Sequence, residues 1–251
     1  MRVHRVRVRA LGQGTLRLTG SEAHHLARVL RVRPGDPVVA FDGAGQEADG
    51  TVTAVDDQAV TLQVGPARTA SVEAPVEVEA AVALLKGDKL AQVVRQLTEL
   101  GVTRIRPIVA ARCDVRRLSP AKADRLRRVA AEAAKQAGRA RVPEVDEPVP
   151  LPRLSWPGPA WIADPRAERG WHELAAVDVD GGLPVTLLTG PEGGFDGSEV
   201  AAAQDRGARA VRLGARTLRA ETAPIALASA LLSRMDRSEE HTSELQSLLI
   251  I

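Results

Sequence analysis

From Arg2 to Arg9 the chain alternates valines with basic residues, the period of two expected of a half-buried strand. The spacing then changes. Leu26, Val29 and Leu30 share one face of a short helix predicted over Glu22 to Arg31, and Ser21 is placed to cap it. Beyond the Pro34-Gly35-Asp36 turn, the runs Val38 to Phe41, Gly50 to Val55 and Ala59 to Val64 read as strands. Loops at Asp42-Gly43-Ala44-Gly45 and Asp56-Asp57 punctuate them. Residues 1–66 therefore read as a small β-rich barrel.

Gly65 to Pro75 is a short Pro/Ala/Ser-containing linker, and after it the pattern becomes strand–helix alternation, the mark of an α/β domain with a largely parallel sheet. Val76 to Leu85 reads as a buried strand, followed by an amphipathic helix over Asp88 to Leu100 that Gly101 ends. Arg104 to Ala110 is the next strand, and Pro120 to Ala137 a long helix stopped at Gly138. Trp161 to Asp164 reads as a strand and Arg166 to Ala176 as a helix. Two late apolar runs, ending at Leu187-Leu188-Thr189 and at Leu213, each break into a glycine-bearing loop. Helices are predicted after these loops, over Ser198 to Arg206 and Pro224 to Met235. This second domain is expected over residues 76–236. Residues 237–251 resemble the translation of a sequencing-adapter oligonucleotide and are expected to be an artefact outside the fold.

Composition narrows the chemistry. There are three Trp, two Phe and no Tyr, too few for a protein that binds bases on aromatic platforms. A single cysteine, Cys113, makes no internal disulfide and points to a reducing compartment. No apolar run approaches the roughly 20 residues that span a bilayer, and the N-terminus lacks a signal-peptide core, so a cytoplasmic protein without a membrane partner is expected. The net charge of +2 conceals two basic blocks. Eight arginines fall between Arg2 and Asp36 against Glu22 and Asp36. Twelve Lys or Arg fall between Arg104 and Arg141 against Asp114, Asp124 and Glu132. With only four lysines in the chain, a preference for arginine explains the residue type but not the clustering, which suits a polyanion. His24-His25 is not read as a metal site. Neighbours on a helix diverge by about 100°, and no third ligand lies nearby in sequence.

The loop Gly190-Pro191-Glu192-Gly193-Gly194 lacks the Gly-Lys-Ser/Thr of a P-loop and the spacing of a dinucleotide fingerprint. Asp196 and Glu199 form the spacing of a capping box, so Glu199 is expected to be structural. The second loop carries Arg216, Arg219 and Glu221 up to a helix start, with Pro224 in its first turn. A loop before a helix offers bare N–H groups, and two in succession suggest one composite pocket.

Together these residues resemble the RsmE-type 16S rRNA (uracil(1498)-N(3))-methyltransferases of the SPOUT (α/β-knot) superfamily. The resemblance rests on Gly190 to Phe195 and on Leu213-Gly214 through Leu218-Arg219-Ala220-Glu221-Thr222-Ala223. It extends to Arg5, His24-His25 with Val29-Leu30-Arg31, Lys86-Gly87-Asp88-Lys89, Thr98 to Val102, and Glu132 to Gln136 with Arg139. It covers residues 1 to about 235 in consistent order. Thr217 departs from the family's usual Ile, and Pro224 from its usual small residue.

The resemblance implies an α/β fold, with a trefoil-knotted SPOUT domain following a PUA-like RNA-binding β-barrel. It implies S-adenosyl-L-methionine held among Leu188, Gly190, Pro191, Glu192, Gly193, Gly194, Leu213, Gly214, Leu218 and Arg219, with no metal. Arg219, Glu192 and Glu221 are the expected catalytic group. Arg219 would stabilise developing carbonyl charge or orient the base, and a glutamate would order the loop. Arg5, Arg7, His24, His25, Arg28, Arg31, Arg112 and Arg116 are the expected contacts to 16S rRNA in the 30S subunit, and a homodimer is implied. The rival readings are a SPOUT ribose 2′-O-methyltransferase and a catalytically inactive RNA-binding or ribosome-assembly factor.

Overall fold

A computed structural model describes residues 3–74, 76–170 and 182–233. The chain forms two compact units. One gathers Met1–Glu73 and Ala131–Val142, the other Ala74–Ala130 and the chain from Pro143 onward.

The first unit is built on β1 (His4–Arg7), β2 (Gly14–Thr19), β3 (Pro37–Phe41), β4 (Gln46–Val55), β5 (Ala59–Val64) and β6 (Arg68–Thr69). Their order is β1-β3-β4-β5-β2, with β6 on β4; the β1–β3 pair is parallel and the others antiparallel. Alternate positions face the core, so Val6, Val38, Ala40, Val52, Val60 and Leu62 are buried while the intervening polar residues meet water. The expected linker is not bare: β6 lies within it, and Ala70 is buried against Phe41 and Ala140.

Between β2 and β3 the predicted helix differs in two ways. Helix α1 (Gly20–His24) starts before Ser21, and its N-cap, Thr19, makes no side-chain hydrogen bond. The chain then widens into a π-helical segment, His25–Leu30, closed by Arg31 at φ 55°, where the N–H groups of Arg31 and Val32 both reach the Leu26 carbonyl. The wider turn keeps Leu26 in the core but swings Val29 out to 61% exposure, so Val29 is not part of the apolar face.

The second unit contains β7 (Val78–Ala83), α2 (Lys89–Leu100), β8 (Arg104–Val109), β9 (Glu144–Val145), β10 (Val149–Pro150), β11 (Ala160–Ala163), β12 (Val185–Thr189), α4 (Gly197–Asp205) and β13 (Ala208–Val211). Helix α3 (Pro120–Gln136) passes from this unit into the first, and a further helix, α5, covers residues 223–233. The sheet is parallel throughout, in the order β10-β8-β7-β12-β11-β13, with β9 on β8. Strands β7 and β12 are buried at every position, as a parallel strand covered on both faces requires. Gly101 ends α2 at φ 112°, a backbone region only glycine enters without strain. Cys113 is buried, and burial pushes its thiol up, away from the reactive range.

Residues 166–170 form a turn and a bend that end in the Gly170 bridge to Arg212, rather than the start of the helix expected over Arg166 to Ala176; the rest of that span lies outside the described residues. So do the last residues of the helix expected over Pro224 to Met235, and the whole 237–251 tail. Among the described residues no helix is long and apolar enough to cross a membrane, and no cluster of three candidate metal ligands occurs.

Candidate functional site

Parallel strands deliver their carboxyl ends to one edge of a sheet, where the following loops can surround a ligand. The ends of β11, β12 and β13 do so here. Ala163-Asp164-Pro165, the 190–195 loop and the 211–223 loop line a cavity of about 330 Å³. This lies near the lower end of the roughly 300–1,000 Å³ typical of small-ligand sites.

The first loop is held from several directions. Gly194, at φ 68°, closes a turn by donating its N–H to the Pro191 carbonyl at 2.8 Å. A side chain at Gly190 would place its Cβ 3.0 Å from the Phe195 nitrogen, so the strand-to-loop bend needs glycine there. Asp196 caps α4, accepting from the Ser198 N–H, while Glu199 accepts from the Asp196 N–H at 2.8 Å, which completes the capping box. The other oxygen of Glu199 takes the Ala111 N–H at 2.7 Å, confirming its structural role. Arg112 spans the loop, donating to the Gly193 carbonyl at 3.1 Å and to the Asp196 carboxylate at 3.0 Å. The hydrogen bonds from Ser198 and Arg112 hold the Asp196 carboxyl below the usual range.

The second loop leaves β13 at Arg212, whose N–H donates to the Arg169 carbonyl at 2.8 Å, and turns at Gly214 with φ 89°. It ends where the Thr222 and Ala223 N–H groups both reach the Arg219 carbonyl, opening α5. One side chain from outside ties the two loops together. Lys89, at the start of α2, puts its Nζ 3.2 Å from Glu192 Oε1 and 3.3 Å from Glu221 Oε2. Glu192 also accepts from the Lys86 N–H at 3.2 Å. Burial pushes the Glu192 carboxyl up, but its own backbone N–H, the Lys86 N–H and Lys89 outweigh this and leave it below the usual range. Its own backbone N–H, against a smaller effect of burial, likewise lowers Glu221, with help from Lys89. The pairing with Glu192 and then that with Glu221 raise Lys89, which therefore stays an ammonium.

Of the residues expected at the cofactor, Gly190, Pro191, Glu192, Gly194, Leu213, Leu218 and Arg219 line the cavity, and Glu221 joins them. Leu188 is fully buried inside β12, and Gly193 packs against Arg112, where an added Cβ would sit 3.2 Å from the Arg112 Cβ. Gly214 shapes its loop without lining the cavity. Lys89, Asp164, Phe195 and Arg216 line it without having been singled out as site residues. The sequence offered signals for three of them, Lys89 in the Lys86-Gly87-Asp88-Lys89 match, Phe195 at the end of the first loop and Arg216 in the second, but nothing to pair Lys89 with.

The expected RNA contacts divide by their present engagement. Arg5 is a structural post: its side chain is 16% exposed, donates to Glu47 at 2.8 Å and lies over the Phe41 ring. Arg7 is exposed, with its guanidinium against Gly43, where only a missing Cβ leaves room. His24 and Arg28 are exposed and line a polar groove of about 380 Å³; His25 is half-buried and Arg31 exposed at the end of the π-helical segment. Among the described residues the Arg28 guanidinium pairs with Asp57, itself 94% exposed, at 3.1 Å. Such surface pairs are worth about 0–1 kcal/mol, so the Arg28 guanidinium gives up little on leaving Asp57. Arg112 serves the loop as described, and Arg116 donates to the Ala111 carbonyl.

Known proteins align with this geometry. The profile of the RNA methyltransferase domain family matches residues 72–232, and that of the RNA methyltransferase PUA domain matches residues 18–65. The chain is 36% identical over 233 residues to ribosomal RNA small subunit methyltransferase E of Mycobacterium tuberculosis, covering 87% of each. It is 31% identical over 228 residues to the Bacillus subtilis protein of the same name, covering 86% of this chain and 89% of that one. A crystal structure of the Neisseria gonorrhoeae ribosomal RNA small subunit methyltransferase E bound to S-adenosyl methionine superposes with a TM-score of 0.84 at 28% identity. That match covers 92% of this chain and 98% of the other.

Proposed function

The chain belongs to the ribosomal RNA small subunit methyltransferase E family, and from that membership we propose its reaction: methylation of N3 of a uridine in 16S rRNA, with S-adenosylmethionine as the donor. The observation that carries this reading is the cavity itself. Two glycine-bearing loops and Lys89 enclose it at the carboxyl edge of a parallel sheet, in a chain that superposes on a relative bound to that cofactor. The residues fit such a guest. Glycines at 190 and 194 keep the first loop's backbone uncovered, Leu213 and Leu218 supply apolar wall, and Glu192 and Glu221 supply negative charge.

The cofactor, when bound, supplies a methyl group already activated on a sulfonium. The protein's task is then to orient a uracil, handle its N3 proton and stabilise charge on the ring carbonyls. Arg219 suits the last role. Its side chain is 85% exposed at the cavity, 4.0 Å from Glu221, so its guanidinium is available to an entering base. It cannot accept the proton, being always charged. Glu192 and Glu221 are weak bases here, because their hydrogen bonds favour the ionised form; their part is to hold Lys89 and, through it, both loops. Arg7, His24, Arg28 and Arg31 are the candidate contacts to rRNA phosphates. Action as a homodimer in the cytoplasm, and the knotted threading of the second domain, belong to the same reading on the strength of the resemblance.

The test is incorporation of labelled methyl into 30S subunits that lack the modification. Arg219→Ala should lower turnover roughly 10²-fold or more, with cofactor affinity nearly intact. An unchanged rate refutes the role of Arg219, and no incorporation by the wild-type chain refutes the reaction.

A further inference from the structure

The charged groups of the cavity are sorted by depth. Glu221 is 16% exposed, and its Oε2 is buried with no hydrogen bond among the described residues; only the ion pair with Lys89, at 3.3 Å, approaches it. Glu192 is 27% exposed and draws on the same Lys89. The arginines that line the cavity, Arg212, Arg216 and Arg219, are all exposed. One ammonium therefore serves two carboxylates brought from two loops, and the further counter-charge on Glu221, Arg219 at 4.0 Å from its Oε1, belongs to a side chain that is 85% exposed. Negative charge remains at the floor while positive charge collects at the mouth. A floor of that sign attracts a cation, and it does so strongly because the dielectric there is lower than in water. A mouth of the opposite sign suits a polyanion.

Resting on the reading that this cavity holds S-adenosylmethionine, we propose that Glu221 selects the cofactor by charge, favouring the methyl-bearing sulfonium over the neutral thioether left after transfer. Methyl transfer forms the bond from the methyl carbon to N3 and breaks the carbon–sulfur bond, whose electron pair stays on sulfur; the N3 proton leaves to solvent, so the cofactor loses one positive charge. The amino-acid and nucleoside portions of the two ligands are the same, so whatever binds those portions cancels when their affinities are compared. Lys89, shared between the two carboxylates, and the solvent-exposed Arg219 at 4.0 Å from Glu221 keep the preference moderate, because they offset part of the negative charge that faces the ligand. Loss of the sulfonium charge thus weakens the hold on the spent cofactor and speeds its exchange.

Isothermal titration of the full chain with S-adenosylmethionine and with S-adenosylhomocysteine reads this preference as a ratio of affinities. Glu221→Gln keeps the side chain's shape and removes its charge. It should weaken S-adenosylmethionine about tenfold and S-adenosylhomocysteine less than about threefold. An equal loss for both ligands, or no loss for either, overturns the proposal and leaves Glu221 as a loop brace. Circular dichroism checks that the variant folds. Should it not, Lys89→Met gives the complementary test: removing the counter-charge should raise the ratio, and an unchanged or lowered ratio overturns the proposal. A wild-type chain that binds neither ligand overturns the cofactor reading itself, and the proposal with it.

Discussion

Glu192 does its work as an anion. Its lowered carboxyl means that the loop stabilisation it provides is fully present above the ordinary glutamate value of 4.5 and is lost as pH falls through the lower folded-state value. Glu192→Gln should therefore flatten the acid limb of Tm against pH below about 4.5, and a limb of unchanged slope contradicts this account. Two arginines make an opposing pair. Arg28 is exposed and loosely held, whereas Arg5 is locked to Glu47 over Phe41. Arg28→Ala should leave Tm nearly unchanged and reduce the slope of log rRNA affinity against log salt by about 0.7–0.9. Arg5→Ala should cost about 1.5–3 kcal/mol of stability and leave the slope alone, because it takes from the half-buried Glu47 one of its two arginine partners and leaves Arg68 at 3.0 Å. Thermal melts and rRNA titrations at several salt concentrations check both; a changed slope for Arg5→Ala would restore it as a phosphate contact. Sequence alone does not separate the two, since basic residues in one cluster look alike until their partners are placed.

Among the elements, the ends fixed by Asp196 and Gly101 were legible, whereas the Ser21 cap, the π-helical segment and the contacts to distant partners were not. Asp196 and Glu199 are three residues apart, and the capping box formed as read. Gly101 likewise ends α2 because a left-handed residue is needed one position past the last turn. Asp196→Ala removes both the cap and one of the two bonds by which Arg112 anchors the first loop, leaving that to the Gly193 carbonyl. It should lower stability by about 1 kcal/mol and weaken cofactor binding measurably by titration. Undiminished cofactor affinity would mean that the loop is held by its glycines alone. The π-helical segment from His25 to Leu30 was not legible, because its apolar spacing over a few residues fits an ordinary helical turn as well. Nor was Lys89, whose partner Glu192 lies 103 residues away, so no window along the chain contains both halves of the contact.

For the molecule as a whole, the division into units follows ion pairs that close long loops. Glu73, at the end of the expected linker, takes the Arg139 guanidinium at 2.7 Å and accepts from the Ala140 and Arg141 N–H groups. Lys135 reaches Glu22 at 2.7 Å. These bonds explain why residues 131–142 belong to the first unit rather than staying with the rest of the domain expected over 76–236. The strand–helix alternation announced the parallel sheet, but not the order that brings the ends of β11, β12 and β13 around one cavity. That cavity is where the central claim rests, and the product nucleoside tests it most directly. 30S subunits lacking the modification would be incubated with the chain and labelled S-adenosylmethionine, digested, and their nucleosides identified by mass. The account predicts N3-methyluridine. A 2′-O-methylated nucleoside, or bound cofactor without any transfer, would contradict it.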